Sequence, residues 1–277
     1  MPAKKPPVSV FTTLSVARRN GIGIVTLERP ELHNAFNETV IAELTAAFRD
    51  LGDAADVRVV ILAGNGASFC AGADLNWMKK MAGYDAAQNR ADAAGLAQML
   101  RAVDECPKPT VARVHGAAYG GGVGLVACCD IAIAAVEATF ALSEAKLGLI
   151  PATISPYVIE AIGARQARRY FLTAERFEAA EAYRLGLVHD IVPVAQLDDR
   201  VNEILTPLLV AGPAAQRECK ALIRHVAGRA IDAALIDDTV ERITRVRASP
   251  EGKEGVGAFL GKRPAAWVPP ELHPAKR

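Results

Sequence analysis

The chain has 277 residues, 51% of them hydrophobic in type and 23% charged, with a formal net charge of +1. That length and apolar content support one large core or two small ones and exclude global disorder. The 32 basic and 31 acidic residues give none of the basic excess that marks a nucleic-acid binder. RHVAGR (224–229) and RITRVR (242–247) are locally basic and read as solvated helix faces.

The first ten residues, MPAKKPPVSV, are polar and proline-rich. They lack the 7–15-residue apolar centre of a signal peptide, so residues 1–10 are expected to form a disordered lead. Leu14–Val16 and Ile22–Leu27 flank Asn20-Gly21, a two-residue hairpin signal. Asn37 is placed to cap a helix with apolar residues at Ile41, Leu44, Phe48 and Leu51. VRVVILA (57–63) is a β-branched run suited to a buried strand. A small-residue loop, Gly64–Ala73, follows, with helical sequence from Leu75. Thr110–Val114 reads as a strand, then come a glycine-rich turn, a helix from Val123 and a strand at Ile131–Ala135. From Leu197 the strand signal stops, and four helical segments separated by Gly or Pro run to the C-terminus.

The five cysteines, at 70, 106, 128, 129 and 219, form no CxxC, and the five histidines form no HxxxH. Reduced thiols in a cytoplasmic protein without a metal site are the expectation. No run of about 18 apolar residues suggests a membrane span.

GAAYGGGVGL (116–125) holds five glycines in nine residues between apolar flanks. CAGADL (70–75) is a second small-residue turn between a strand and a helix. A strand entering a helix through such a turn presents backbone N–H groups without internal partners, at the positive end of the helix dipole. Two turns facing one point can hold a single oxyanion between two amides. Two other readings stand beside this one. Gly122-Val-Gly124-Leu-Val-Ala127 fits a dinucleotide-binding fingerprint, with Glu137 or Glu144 downstream as a ribose ligand. The glycines also suit simple close packing of a helix.

The motifs ERPELHNAF (28–36), SFCAGADL (68–75), VHGAAYGGGVGL (114–125), CDIAIA (129–134), FALSEAKLGLIP (140–151) and GAFLGKRPAAW (257–267) together resemble the crotonase, or enoyl-CoA hydratase/isomerase, family. The resemblance runs in order over nearly the whole chain. It implies an α/β spiral of repeated ββα units over 11–196 and an all-helical C-terminal trimerisation region over 197–277. It implies an acyl-CoA thioester as substrate, no separate cofactor, and a homo-oligomer, either a trimer or a dimer of trimers.

By the same resemblance the two oxyanion amides are those of Ala73 and Gly121, and Gly120 is a substrate- and coenzyme A-binding residue. Residues 71–76, including Ala71, Asp74, Leu75 and Asn76, line the coenzyme A. Leu32, Asn34 and Ala35 border its entrance, and Lys262 with Phe259 reaches its phosphates, in one version from an adjacent subunit. Many hydratases of the family use two glutamates; here one position is Glu144 and the other is Gly124. Hydration by Glu144, double-bond isomerisation with a single glutamate, and non-catalytic acyl-CoA binding all remain open. GLVACCDIAIA and the ISPYV segment (154–158) look most like bacterial methylglutaconyl-CoA hydratases, which implies a branched enoyl-CoA in leucine degradation. A distal carboxylate on such a substrate calls for a basic or amide partner. Asn76, Lys79, Lys80 and Arg113 are candidates by chain proximity.

Overall fold

A computed structural model describes residues 11–273. The lead expected over 1–10 lies outside the described residues. Strands β1 (Leu14–Arg19) and β2 (Ile22–Leu27) pair antiparallel through Asn20 and Gly21, both at positive φ, as a two-residue hairpin turn requires. Helix α1 (Glu38–Asp53) starts where the Asn37 side chain accepts a hydrogen bond from Val40 N. Its buried face carries Ile41, Leu44, Phe48 and Leu51, the residues whose spacing predicts it.

The chain then repeats one unit: a strand in a large sheet, a short extended segment turned out of that sheet, and a helix. β3 (Val59–Gly64) leads through residues 69–73 to α2 (Leu75–Met81) and α3 (Ala86–Asp104). β4 (Thr110–Val114) leads through β5 (Ala117–Tyr119) to α4 (Gly121–Cys128). β6 (Ile131–Ala135) leads through β7 (Thr139–Ala141) to a 3-10 turn at Ser143–Leu147 and then α5 (Ser155–Thr173), kinked at Gly163. β8 (Arg176–Glu178), α6 (Ala179–Leu185) and β9 (Asp190–Val192) complete the series.

The large sheet runs β1-β2-β3-β4-β6-β9 and the small one β5-β7-β8. A parallel bridge between Cys70 and Ala118 attaches the first unit's extended segment to the small sheet. The strand order follows the chain without reversal, so the units wind as a spiral. A dinucleotide-binding open sheet reverses its order at the point where the ligand sits, and this sheet has no such point.

Alternate residues of the central strands face two different layers. Val60, Leu62, Ala112 and Val114 join the main core under α1, α3 and α4. Val59, Ile61, Val111 and Ile133 meet Leu197, Val201, Leu205 and Leu209 of α7 (Leu197–Val210) on the other face. The four-residue spacing in α7 puts those side chains on one stripe. The remaining helices are α8 (Pro213–Val226), α9 (Ala233–Ala248) and α10 (Pro250–Leu260). They form an arm tied back by polar contacts. Lys220 Nζ donates to Asp130 Oδ2 at 2.6 Å and Lys108 O at 3.1 Å. Arg58 donates to Ala211 O at 2.6 Å and Trp267 O at 3.1 Å. No helix among the described residues is long and apolar enough to cross a membrane.

Candidate active site

The two small-residue turns meet. A Cβ built on Gly72, which has φ +93°, would lie 3.0 Å from Tyr119 O and 3.9 Å from Gly120 Cα. Around them nearly every backbone group is engaged. On the first turn, Phe36 N donates to Gly72 O at 2.7 Å and Asp74 N to Phe36 O at 2.8 Å. This is a one-residue parallel bridge between Phe36 and Ala73. On the second, Tyr119 N donates to Cys70 O at 2.9 Å and Gly120 N to Ala141 O at 2.8 Å. Val123 N and Gly124 N turn back to Gly120 O. Between these engaged neighbours stand the amides of Ala73 and Gly121. Ala73 is exposed and Gly121 half-buried. Gly121 is the first residue of α4, where an amide has no intrahelical acceptor. Both amides are thus candidates to donate to a ligand.

Most of the glycines answer to packing. A Cβ on Gly121 would overlap the Phe36 ring, 2.9 Å from its Cδ2, and one on Gly122 would overlap Cys70 O. One on Gly124 would overlap Ile154, 2.9 Å from its Cβ, with Leu100 Cδ2 at 3.4 Å. The close-packing reading thus accounts for three of the glycines. Gly120, at φ 50° and ψ −117°, is different: its open side faces Glu144 Oε1, 3.2 Å from the position of a Cβ.

Glu144 is the second residue of the 3-10 turn that follows β7, one strand over from β5. Parallel pairing of Tyr119 with Ala141 brings the Gly120–Gly121 turn and Glu144 to the same sheet edge. Its Oε2 is buried without a hydrogen-bond partner. Burial pushes the carboxyl above the usual carboxylate range, opposed only by a hydrogen bond from its own backbone amide. A desolvated, unpartnered carboxyl with its pKa raised holds a proton more readily than an exposed one, which suits accepting and returning a proton. Among the described residues no three His, Cys, Asp or Glu side chains gather as a metal site.

The other residues singled out by sequence fall into three groups. Ala71, Leu75 and Asn76 lie on the first turn and the start of α2, with Leu75 and Asn76 exposed, and Leu32 stands exposed across from them. Asn34 and Asp74 are buried with their polar atoms tied into the scaffold. Asn34 Nδ2 donates to Asn65 O and Ser68 O, and its Oδ1 accepts from Arg29 N. Asp74 Oδ1 caps α2 at Asn76 N, and its Oδ2 accepts from Arg29 Nη2. Ala35 is also buried. Phe259 lies in the last turn of α10 and Lys262 just beyond it, and α10 packs mainly on α9 and α8; Phe259 is 82% exposed. Of the candidate partners for a distal carboxylate, Lys80 is paired with Glu38. Arg113 is paired with Asp198 of α7, on the face of the large sheet away from the glycine turns.

Sequence reasoning missed Arg29, Phe36 and Ile154. Arg29 acts across 45 residues of chain, a separation no local pattern reveals. Ile154 was visible only as part of ISPYV.

The enoyl-CoA hydratase/isomerase family model matches residues 17–269. The chain is 34% identical to an enoyl-CoA hydratase of Alternaria alternata over 91% of this chain and 83% of that one. It is 30% identical to the crotonyl-CoA hydratase of Syntrophomonas wolfei subsp. wolfei, over 93% and 98%. Its structure superposes on that of an enoyl-CoA hydratase from Shewanella pealeana with a TM-score of 0.91 and 45% identity, covering 93% of this chain and 96% of the other. With its spiral of strand–segment–helix units and its helical C-terminal arm, the chain is an enzyme of the enoyl-CoA hydratase/isomerase, or crotonase, family.

Proposed function

We propose that this enzyme adds water reversibly to a 2-enoyl-CoA, with Glu144 as its acid–base residue and the amides of Ala73 and Gly121 as its oxyanion hole. The observation that carries this is the buried, unpartnered Oε2 of Glu144 on a carboxyl set against Gly120. The thioester oxygen sits between the two amides. Glu144 takes a proton from water, hydroxide adds to the β-carbon, and the electron pair of the double bond moves onto the thioester oxygen. The enolate so formed is held by the two N–H groups, and Glu144 returns the proton to the α-carbon. Each preorganised donor of this kind is worth roughly 3–4 kcal/mol to the transition state. The coenzyme A thioester is itself the substrate, and the chemistry calls for no metal or nicotinamide.

Ala71, Leu75 and Asn76 line the coenzyme A on this reading, Leu32 stands at its entrance, and Asn34, Ala35 and Asp74 shape that rim from behind. Phe259 and Lys262 come from an adjacent copy in a trimer or dimer of trimers. Support for this is the arm's exposed apolar face, with Ile236, Val240, Ile243, Val256 and Phe259 each about half exposed or more. A branched acyl group, such as 3-methylglutaconyl, fits the likeness of the ISPYV segment to that subgroup, and a cytoplasmic role in leucine degradation goes with it.

One observation favours a second reading. Ile154 fills the space a side chain at 124 would need, so Glu144 has no carboxylate partner there. A lone carboxylate suits 1,3-proton transfer within an enoyl-CoA, which is isomerisation. A panel of crotonyl-CoA, 3-methylglutaconyl-CoA and a 3-enoyl-CoA decides, followed by enoyl-thioester absorbance and by mass analysis of products. A gain of one water supports the hydratase, and double-bond migration alone supports the isomerase. Tight binding without turnover of any member would leave an acyl-CoA-binding protein.

A further inference from the structure

The amide of Ala73 is the less supported of the two proposed oxyanion donors. Gly121 is anchored as the first residue of a buried helix. Ala73 stands on an exposed turn, held to Phe36 by a single bridge. In a parallel pair, a residue whose chain neighbours make the bonds sends its own N–H the opposite way. The direction of the Ala73 N–H is therefore set by how firmly the bridge holds.

One side chain holds both sides of that bridge. Arg29 Nη1 donates to Ala35 O at 2.6 Å, on the residue before Phe36. Arg29 Nη2 donates to Asp74 Oδ2 at 2.7 Å, on the residue after Ala73. The pair is well shielded, with side-chain exposures of 13% and 6%. Both ends of Arg29's own segment are pinned. Its backbone N donates to Asn34 Oδ1 at 2.9 Å, and Asn34 N donates to Arg29 O at 2.9 Å. His33 and Asn34, at φ 50° and 56°, occupy the left-handed region that non-glycine residues seldom adopt. The buried contacts of Asn34 with Asn65 O and Ser68 O hold that turn in place. The other carboxylate oxygen of Asp74 caps α2 through Asn76 N at 2.7 Å. A planar fork with two separate donors can hold two acceptors at fixed spacing.

We propose that Arg29 is a positioning residue that fixes the Ala73 amide on the thioester oxygen by clamping Ala35 O to Asp74 across the bridge. Arg29 touches no substrate atom. The inference rests on the oxyanion role proposed above for Ala73 and Gly121, and adds which side chain sets one donor's direction.

The test uses the full chain and the probe 4-dimethylaminocinnamoyl-CoA. The long-wavelength band of this thioester moves to the red when hydrogen bonds draw electrons onto its carbonyl oxygen. The wild-type enzyme should shift the band. Arg29→Lys keeps the charge but not the fork and should lose part of the shift; Arg29→Met should lose more. The kcat for an enoyl-CoA should fall in the same order, by about 10- to 100-fold for the Met variant, the usual penalty for a misplaced catalytic group. KM should stay within about threefold, because a donor used mainly in the transition state contributes little to ground-state binding. Circular dichroism and thermal melts identify which variants are folded. An unchanged band and kcat in either folded variant would overturn the role of Arg29. A wild-type enzyme that binds the probe without any shift would instead overturn the two-amide reading itself.

Discussion

Glu144 is a carboxyl whose environment opposes its charge. Burial raises it above the ordinary range, and no neighbouring cation offsets that. The folded state thus favours the protonated form. This contribution is fully present below the unfolded pKa of about 4.3, and it is lost as pH rises through the higher folded value. Glu144→Gln removes the buried charge, so the variant should melt at a higher temperature than wild type at pH 7 and with it near pH 4. A melting difference that does not change with pH would contradict this origin. The same shift predicts that the acidic limb of kcat/KM lies above the ordinary carboxylate range, because the proposed hydration needs Glu144 ionised to accept the proton of water. Ile154 gives a second test at this scale. Ile154→Ala should cost about 2–4 kcal/mol from the cavity it leaves, and Gly124→Ala about 1–3 kcal/mol from overpacking. Because each substitution relieves the other, urea denaturation of the double variant should show a loss clearly smaller than the sum. Additive losses would mean that Ile154 does not occupy the space at 124.

At the scale of elements, legibility followed length and locality. The β-branched run at β3, the Asn20-Gly21 hairpin and the Asn37-capped α1 were readable because each signal lies within one element. The three-residue strands β5, β7 and β8 were not, since three residues show no periodicity and their pairing is wholly tertiary. Glu144 stood out in the sequence through its motif, yet what surrounds it did not. Phe36 against Gly121 and Arg29 against Asp74 join segments far apart in the chain. Asn34 and Asp74 read from sequence as coenzyme A contacts, and their polar atoms serve the scaffold of that rim. Among the long-range polar ties of the arm, the one through Lys220 is the most buried. Asp130 Oδ2 accepts from Thr110 N at 2.7 Å, Thr110 Oγ1 at 2.9 Å and Lys220 Nζ at 2.6 Å. Lys220→Met should cost about 1.5–3 kcal/mol, the value of a hydrogen bond to a charged group. The loss should appear as faster amide exchange in α8 than in β3. Equal loss of protection in both would place the effect on the whole fold instead.

The whole molecule joins a sheet covered on both faces to an arm with an unsatisfied apolar surface. Ile236, Val240, Ile243, Val256 and Phe259 on α9 and α10 stand exposed, and burying such apolar side chains against a second copy would favour assembly. Light scattering of the purified full chain should give three or six times the mass of one chain, and a monomer at micromolar concentration would contradict the assembly proposed. On the proposed reading, the spiral is what brings one carboxyl and two amides together. Each turn of the chain delivers one extended segment to the small sheet, and Ala73, Gly121 and Glu144 come from three successive turns. The proposed mechanism rests on that convergence, and turnover by Glu144→Gln tests it most directly. With enoyl-CoA followed at its thioester absorbance, kcat should drop by about 10²- to 10⁴-fold, the usual worth of a general acid–base residue, while coenzyme A affinity stays within about threefold. A folded variant turning over at a rate close to wild type would contradict the central role of Glu144.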